Sequence, residues 1–271
     1  MRPVPHDDDR KRGGRVSIED GDMSMADYIT SALGLVCRII FLDLIPCVLF
    51  AMIMQWCSNR IRERLAMLVG DRAFIYMTAP GVAVHELGHA LFCVLFHHKI
   101  EAIKLFSPEA DGTLGYVSHS YDHTSLFQRT GNLFIGTGPI WSGVIVLWMC
   151  SRLLLPTSDF AARSFFSMLL SLSFWSCWQS WLWLYLLLAV GAHITLSPPD
   201  LKGAADGGIA LTMALTAGCL LFGWSDRFNA FCRHRLPEIV KDTLGMLSGV
   251  LLVLLLTTLI LLFFVHGKKE E

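Results

Sequence analysis

Long apolar runs alternate with short polar breaks along most of the chain. Apolar residues dominate roughly 29–56, 73–96, 131–155, 162–195, 204–224 and 243–265. A hydrocarbon core takes about 20 mostly apolar residues in a helix, and each run meets that length. The pattern predicts an all-α polytopic membrane protein with about six transmembrane helices. The fourth run exceeds one span and reads as a tilted helix, or as a helix with an interfacial piece. The first run contains Arg38 and Asp43, five positions apart and so off the spacing at which helical side chains meet. Residues 1–28 mix both charges without the apolar stretch of a secretory signal, and read as a polar mobile tail. Residues 29–271 read as one membrane domain. Lys and Arg divide almost evenly between the two sides of this topology, so charge assigns no orientation.

The longest polar connection is 97–129. Within it, IEAIKLF and TLGYV are rich in strand-forming residues, and Asp111-Gly112 between them is a hairpin turn pair. A short β-hairpin is expected over about 100–118.

Inside the second apolar run lies GVAVHELGHALFCVLF, residues 81–96. An ionisable group at membrane depth costs at least about 2.5–3.5 kcal/mol on insertion scales, so three of them need a compensating role. On a helix, His85 and His89 share a face one turn apart and can grip one metal ion through ring nitrogens. Glu86, next to the first histidine, reaches a water at the metal rather than the metal itself. This HExxH spacing is the zinc metallopeptidase signature. A glutamate so placed serves as general base while the zinc activates water.

Composition agrees with the patterning and narrows the partners. Of 271 residues 54% are hydrophobic and 17% charged, against roughly 25% charged in soluble domains. The net charge is −1, so no basic surplus points to nucleic acid. The partners implied are the lipid bilayer and a membrane-anchored protein substrate; nothing in the residues assigns an oligomeric state. Eight cysteines form no CxxC pair and read as small apolar residues.

Catalytic zinc usually has three protein ligands, so two histidines leave one position open. His97 and His98 lie too far along the helix axis to join His85. His119, His123, His234 and His266 read as solvated residues of loops or span ends. The remaining candidates are acidic. Asp200 in HITLSPPDLKG follows two prolines and doubles as a helix N-cap candidate. Asp206 stands in AADGG, and Glu238 and Asp242 stand in PEIVKD.

These motifs together resemble the site-2 protease family of intramembrane zinc metalloproteases. VAVHELGHALF is similar to the family's HExxH helix. TGPIWSG, residues 137–143, resembles its Ala-Gly-Pro-Leu-Ala-Asn element, with Ser142 where Asn is usual. LSPPDLKG, residues 196–203, resembles its proline-containing element that carries the third zinc ligand. The resemblance covers roughly residues 75–210. It implies one Zn2+ held by His85, His89 and Asp200, with Glu86 catalytic, and a β-hairpin after the HExxH helix. Asp206-Gly207 keeps an adjacent Asp-Gly pair and stands as the other candidate. His193 falls near a position where the family has Asn.

The expected activity is hydrolysis of peptide bonds in membrane-anchored proteins, at a stretch where the substrate helix unwinds and exposes its carbonyls. Two alternatives carry different residues. A CaaX-processing type of membrane zinc protease would use Glu238 with Asp242, which have its Glu-xxx-Asp spacing. A metal-binding scaffold or transporter would have little use for Glu86, a carboxylate that neighbours the metal without binding it. The run FWSCWQSWLWLY, residues 174–185, reads as lipid-facing and interfacial aromatics.

Overall fold

The computed structural model describes residues 25–155, 171–223 and 225–265. Most of the expected tail, 1–28, and residues 162–170 of the fourth apolar run lie outside these. The described chain is mostly helical, with one small antiparallel sheet.

Helix α1 (Met25–Arg38) continues through a π-helical turn, Ile39–Leu44, into α2 (Ile45–Val69). Arg38 donates to the carbonyls of Cys232 and Arg233, both at 3.1 Å, rather than to Asp43. Helix α3 (Asp71–Met77) and α4 (Ala79–Leu95) meet at Thr78 with a 58° bend. Pro80, in the first turn of α4, has no N–H to continue the preceding helix.

Strand β1 (Lys99–Lys104) pairs antiparallel with β2 (Tyr116–Ser120). Lys104 faces Tyr116 and Lys99 faces Ser120, with a bulge between Ile100 and Ala102. The Asp111-Gly112 turn forms as its residues predict. Gly112 takes φ of +90°, and the Glu109 amide donates to the Thr113 carbonyl at 2.8 Å. The ladder runs to residue 120 rather than ending at 118, and of the expected TLGYV strand only Tyr116 and Val117 belong to it.

Helix α5 (Leu126–Gly136) and α6 (Gly138–Leu154) form a second bent pair, turning 53° at Thr137 before Pro139. Then follow α7 (Leu172–Trp175), α8 (Trp178–Gly191) and α9 (Pro198–Phe222). Helix α10 (Asp226–Ala230) leads through a π-helical turn, Phe231–Arg235, into α11 (Leu236–Phe264).

Three helical stretches are long and apolar enough to cross a membrane: Met25–Val69, Pro198–Phe222 and Arg227–Phe263. Each bent pair adds one if it counts as a single span, which gives three to five among the described residues rather than six. The shortfall lies in the fourth run. Its described part breaks at Ser176 and Cys177, and α8 has only 14 residues. Not all of its aromatics face outward: Trp183 is buried and donates to Ser151 Oγ at 2.9 Å. Of the eight cysteines, Cys37 and Cys177 are exposed and Cys57, Cys93, Cys219 and Cys232 are buried.

Helix α4 sits at the centre, packed against α5, α6, α8 and the hairpin. Its contact with α6 is close because two glycines meet there. A Cβ on Gly88 would fall 2.5 Å from the Gly138 carbonyl oxygen and from Ser142 Oγ. The Gly of HELGH and the first Gly of TGPIWSG are thus two halves of one helix contact. Large apolar side chains such as Phe41, Leu49, Leu221 and Phe263 point outward, as in a bundle whose solvent is lipid.

Candidate metal centre

The rings of His85 and His89 lie side by side on α4, with centroids 5.0 Å apart. Each uses Nδ1 to bind a main-chain carbonyl of another element. His85 Nδ1 is 2.9 Å from the His193 oxygen, and His89 Nδ1 is 2.7 Å from the Ile135 oxygen. A carbonyl can only accept, so both Nδ1 atoms carry the proton and both Nε2 atoms keep a lone pair. Those two Nε2 atoms are 3.2 Å apart.

Asp200 completes the group. Its Oδ1 is 3.4 Å from His89 Nε2 and its Oδ2 is 4.0 Å from His85 Nε2. Tetrahedral coordination with bonds of about 2.0–2.2 Å separates neighbouring ligand atoms by about 3.3–3.5 Å. Two of the three separations sit at or close to that range, and the third is slightly long. Three acceptors converging without a donor between them are costly unless a cation joins them. His85, His89 and Asp200 could hold a metal ion, and no other set of three or more His, Cys, Asp or Glu among the described residues is so arranged.

Local chemistry explains how Asp200 arrives there. Ser197 is the N-cap of α9, and Pro198 and Pro199 follow where a helix loses nothing by lacking N–H donors. The two prolines therefore open the helix. Asp200 is the third helical residue and not the N-cap. Its Oδ2 accepts from Ser197 N at 2.8 Å and from Ser197 Oγ at 2.7 Å, which leaves Oδ1 to face His89. Gly136 on α5 allows the turn to sit close, because a side chain there would strike the Asp200 carbonyl.

Glu86 is buried beside this group but is not one of the converging ligands. It faces the loop before β2, where a Cβ on Gly115 would lie 2.9 Å from Glu86 Cγ. Glu86, His85, His89 and Asp200 line one cavity of about 700 Å³. Its walls are α2 through Gln55, Asn59 and Arg62, the hairpin through Thr113–Val117 and His119, α5 through Asn132 and Ile135, and the stretch from His193 to Asp200. Gln55 Nε2 donates to the Leu196 carbonyl at 3.3 Å and ties α2 to that stretch.

The other acidic candidates lie elsewhere. Asp206 is exposed on α9, and its neighbour Gly207 serves packing against Leu133. Glu238 is exposed and paired with Arg235 at 3.3 Å, and Asp242 is exposed as well.

Two histidines have roles that their sequence context did not suggest. His193 holds His85 through its carbonyl, and its ring is anchored on Thr78 Oγ1 at 2.9 Å. His119 is half-buried and lines the cavity. Val117 and His119 are two apart on β2 and so share a face, a relation that appears once the strand is extended past Val117. His98 is buried as well.

No protein-family model, no curated protein and no solved structure matches this chain.

Proposed function

We propose that this chain is an intramembrane zinc endopeptidase, similar to the site-2 protease family, acting on membrane-anchored proteins. The observation that carries the reading is a buried Glu86 beside the convergent His85, His89 and Asp200, on one cavity between helices apolar enough for a bilayer. Five spans and the aromatic segment around α8 would together make the six-helix arrangement that the apolar runs suggest. Two imidazoles and a carboxylate are a donor set that suits zinc, which when bound lowers the pKa of a water and polarises a peptide carbonyl.

The protein's own groups supply the rest. His193 and Ile135 fix the two rings in the ligating tautomer, and Ser197 fixes the carboxylate. Glu86 takes one proton from water as the water oxygen bonds to the peptide carbon. The carbon–nitrogen bond then breaks, and Glu86 gives that proton to the departing nitrogen. The substrate must enter unwound, because an intact helix keeps its carbonyls in internal hydrogen bonds.

The test is metal analysis of the purified wild type beside His85→Ala, with cleavage of a membrane-anchored reporter measured for both. Zinc at one ion per chain, lost with cleavage in the variant, is the expected result. A metal-free wild type that still cleaves would end this reading.

A further inference from the structure

Behind the cavity wall, three groups form a hydrogen-bonded line whose protons can be placed by elimination. His98 Nε2 lies 2.8 Å from the Gln128 carbonyl oxygen, which can only accept. A neutral His98 therefore has its lone pair on Nδ1. That atom is 3.1 Å from His119 Nδ1, so the proton between them belongs to His119. A neutral His119 in turn has a bare Nε2. Tyr121 stacks on His98 with centroids 4.9 Å apart and planes at 17°, which holds the buried ring in place. His98 does not line the cavity and His119 does. The two nitrogens of an imidazole point away from each other, so the bare Nε2 is turned from His98, and His119 is the ring of the pair that borders the open space.

Burial holds the pKa of His98 below the ordinary histidine value, against the Gln128 hydrogen bond. Burial does the same for His119, followed by the charges of His98 and His89, with Glu101 acting in the opposite direction. Both rings are thus favoured as neutral near neutral pH.

A cavity that accepts an unwound membrane segment must satisfy main-chain N–H groups that have lost their helical partners away from bulk water. We propose that Nε2 of His119 accepts a main-chain N–H of the unwound substrate, and that His98 is a positioning residue that keeps this nitrogen bare. The substrate half of the proposal rests on the peptidase reading; the tautomer half does not.

Two measurements on the full chain in detergent separate these halves. The first is nitrogen NMR of protein labelled at histidine, at about pH 7.5, where a free histidine is mostly neutral. His119 should show a protonated Nδ1 and a bare Nε2; a proton on Nε2 overturns the proposal without touching the peptidase reading. The second compares cleavage of a membrane-anchored reporter by wild type, His119→Phe and His119→Gln. Loss of one such hydrogen bond should raise KM about tenfold in His119→Phe, with kcat within about threefold. Metal content should not change. His119→Gln, whose amide oxygen reaches the Nε2 position, should recover part of the loss. An unchanged KM in His119→Phe, or loss of metal, overturns the substrate role. A wild type that cleaves nothing removes the peptidase reading and the substrate role together, and the NMR result still decides the tautomer.

Discussion

Asp200 turns one oxygen to His89 and the other to Ser197. Its Oδ1 lies 3.4 Å from His89 Nε2, while Oδ2 accepts two hydrogen bonds from Ser197. One carboxylate thus starts helix α9 and completes the group that could hold a metal ion. Replacing it with Asn keeps the shape and the cap but removes the charge that balances a cation. Asp200→Asn should weaken zinc binding more than about 100-fold, beyond what loss of an outer partner costs, with little change in helix content. Zinc competition against chelators of graded affinity, beside circular dichroism, would test this, and wild-type zinc affinity would remove Asp200 from the set.

Ser197 allows a finer test of the same arrangement. Its hydroxyl donates to Asp200 Oδ2 and accepts from the Asp200 amide at 3.3 Å. Ser197→Ala should cost about 1 kcal/mol at the start of α9. It should also weaken zinc by about 10–100-fold, because the carboxylate loses the partner that aims it. A variant destabilised to this degree with unaltered zinc affinity would mean that α5 alone sets the direction of Asp200.

Glu86→Gln separates an enzyme from a metal-binding scaffold or transporter. The substitution keeps size and removes the proton acceptor. The variant should fold, keep its zinc, and cleave a membrane reporter about 10²–10⁴-fold more slowly. Single-turnover cleavage and zinc content measured on one sample decide the matter. Full cleavage by a zinc-loaded variant would rule out the mechanism, and loss of zinc would make Glu86 a ligand or a structural group.

The HExxH pair and the hairpin were legible in the sequence because both are local. One depends on residues four apart on a helix, the other on an Asp-Gly turn between strand-forming stretches. From the residues alone Asp200 was one of several acids, and only the resemblance of LSPPDLKG to a known ligand element singled it out. Which acid reaches the histidines depends on how α9 lies on α5, through contacts such as Gly136 with Asp200 and Gly207 with Leu133. His193 left little trace, because it holds His85 through its main-chain oxygen and any residue has one. The start of α5 was missed for another reason. LFQRT is too polar to read as part of a span, yet Ser125 caps it by accepting from the Gln128 amide at 3.3 Å.

The hairpin turn can be broken without touching the ligands. Gly112 has φ of +90°, and proline is held near −65°. Gly112→Pro should therefore distort the loop that leads to Gly115 and Glu86, while His85, His89 and Asp200 stay in place. Turnover should fall by about tenfold or more with zinc affinity within about twofold, since a displaced substrate wall costs orientation and not metal. Normal turnover in this variant would show that the tip of the hairpin has no part in seating substrate.

The His98–His119 pair gives the hairpin a pH dependence whose sign follows from burial. Burial, and for His119 also the charges of His98 and His89, places both folded-state pKa values below the ordinary one. In the opened chain both rings titrate near about 6.5. Between the folded and the open pKa the open form binds more protons, so acid favours opening. The stabilisation is complete above about pH 6.5 and is lost as pH falls through the folded values. Amides of β1 and β2 should exchange faster at about pH 5.5 than at about pH 7.5, after correction for intrinsic rates. In His119→Phe, where no second imidazole meets His98, the dependence should weaken. Equal protection at the two pH values in the wild type would mean that the pair remains neutral, or holds its proton, at no cost to the hairpin. An undiminished dependence in His119→Phe would place its origin in His98 alone.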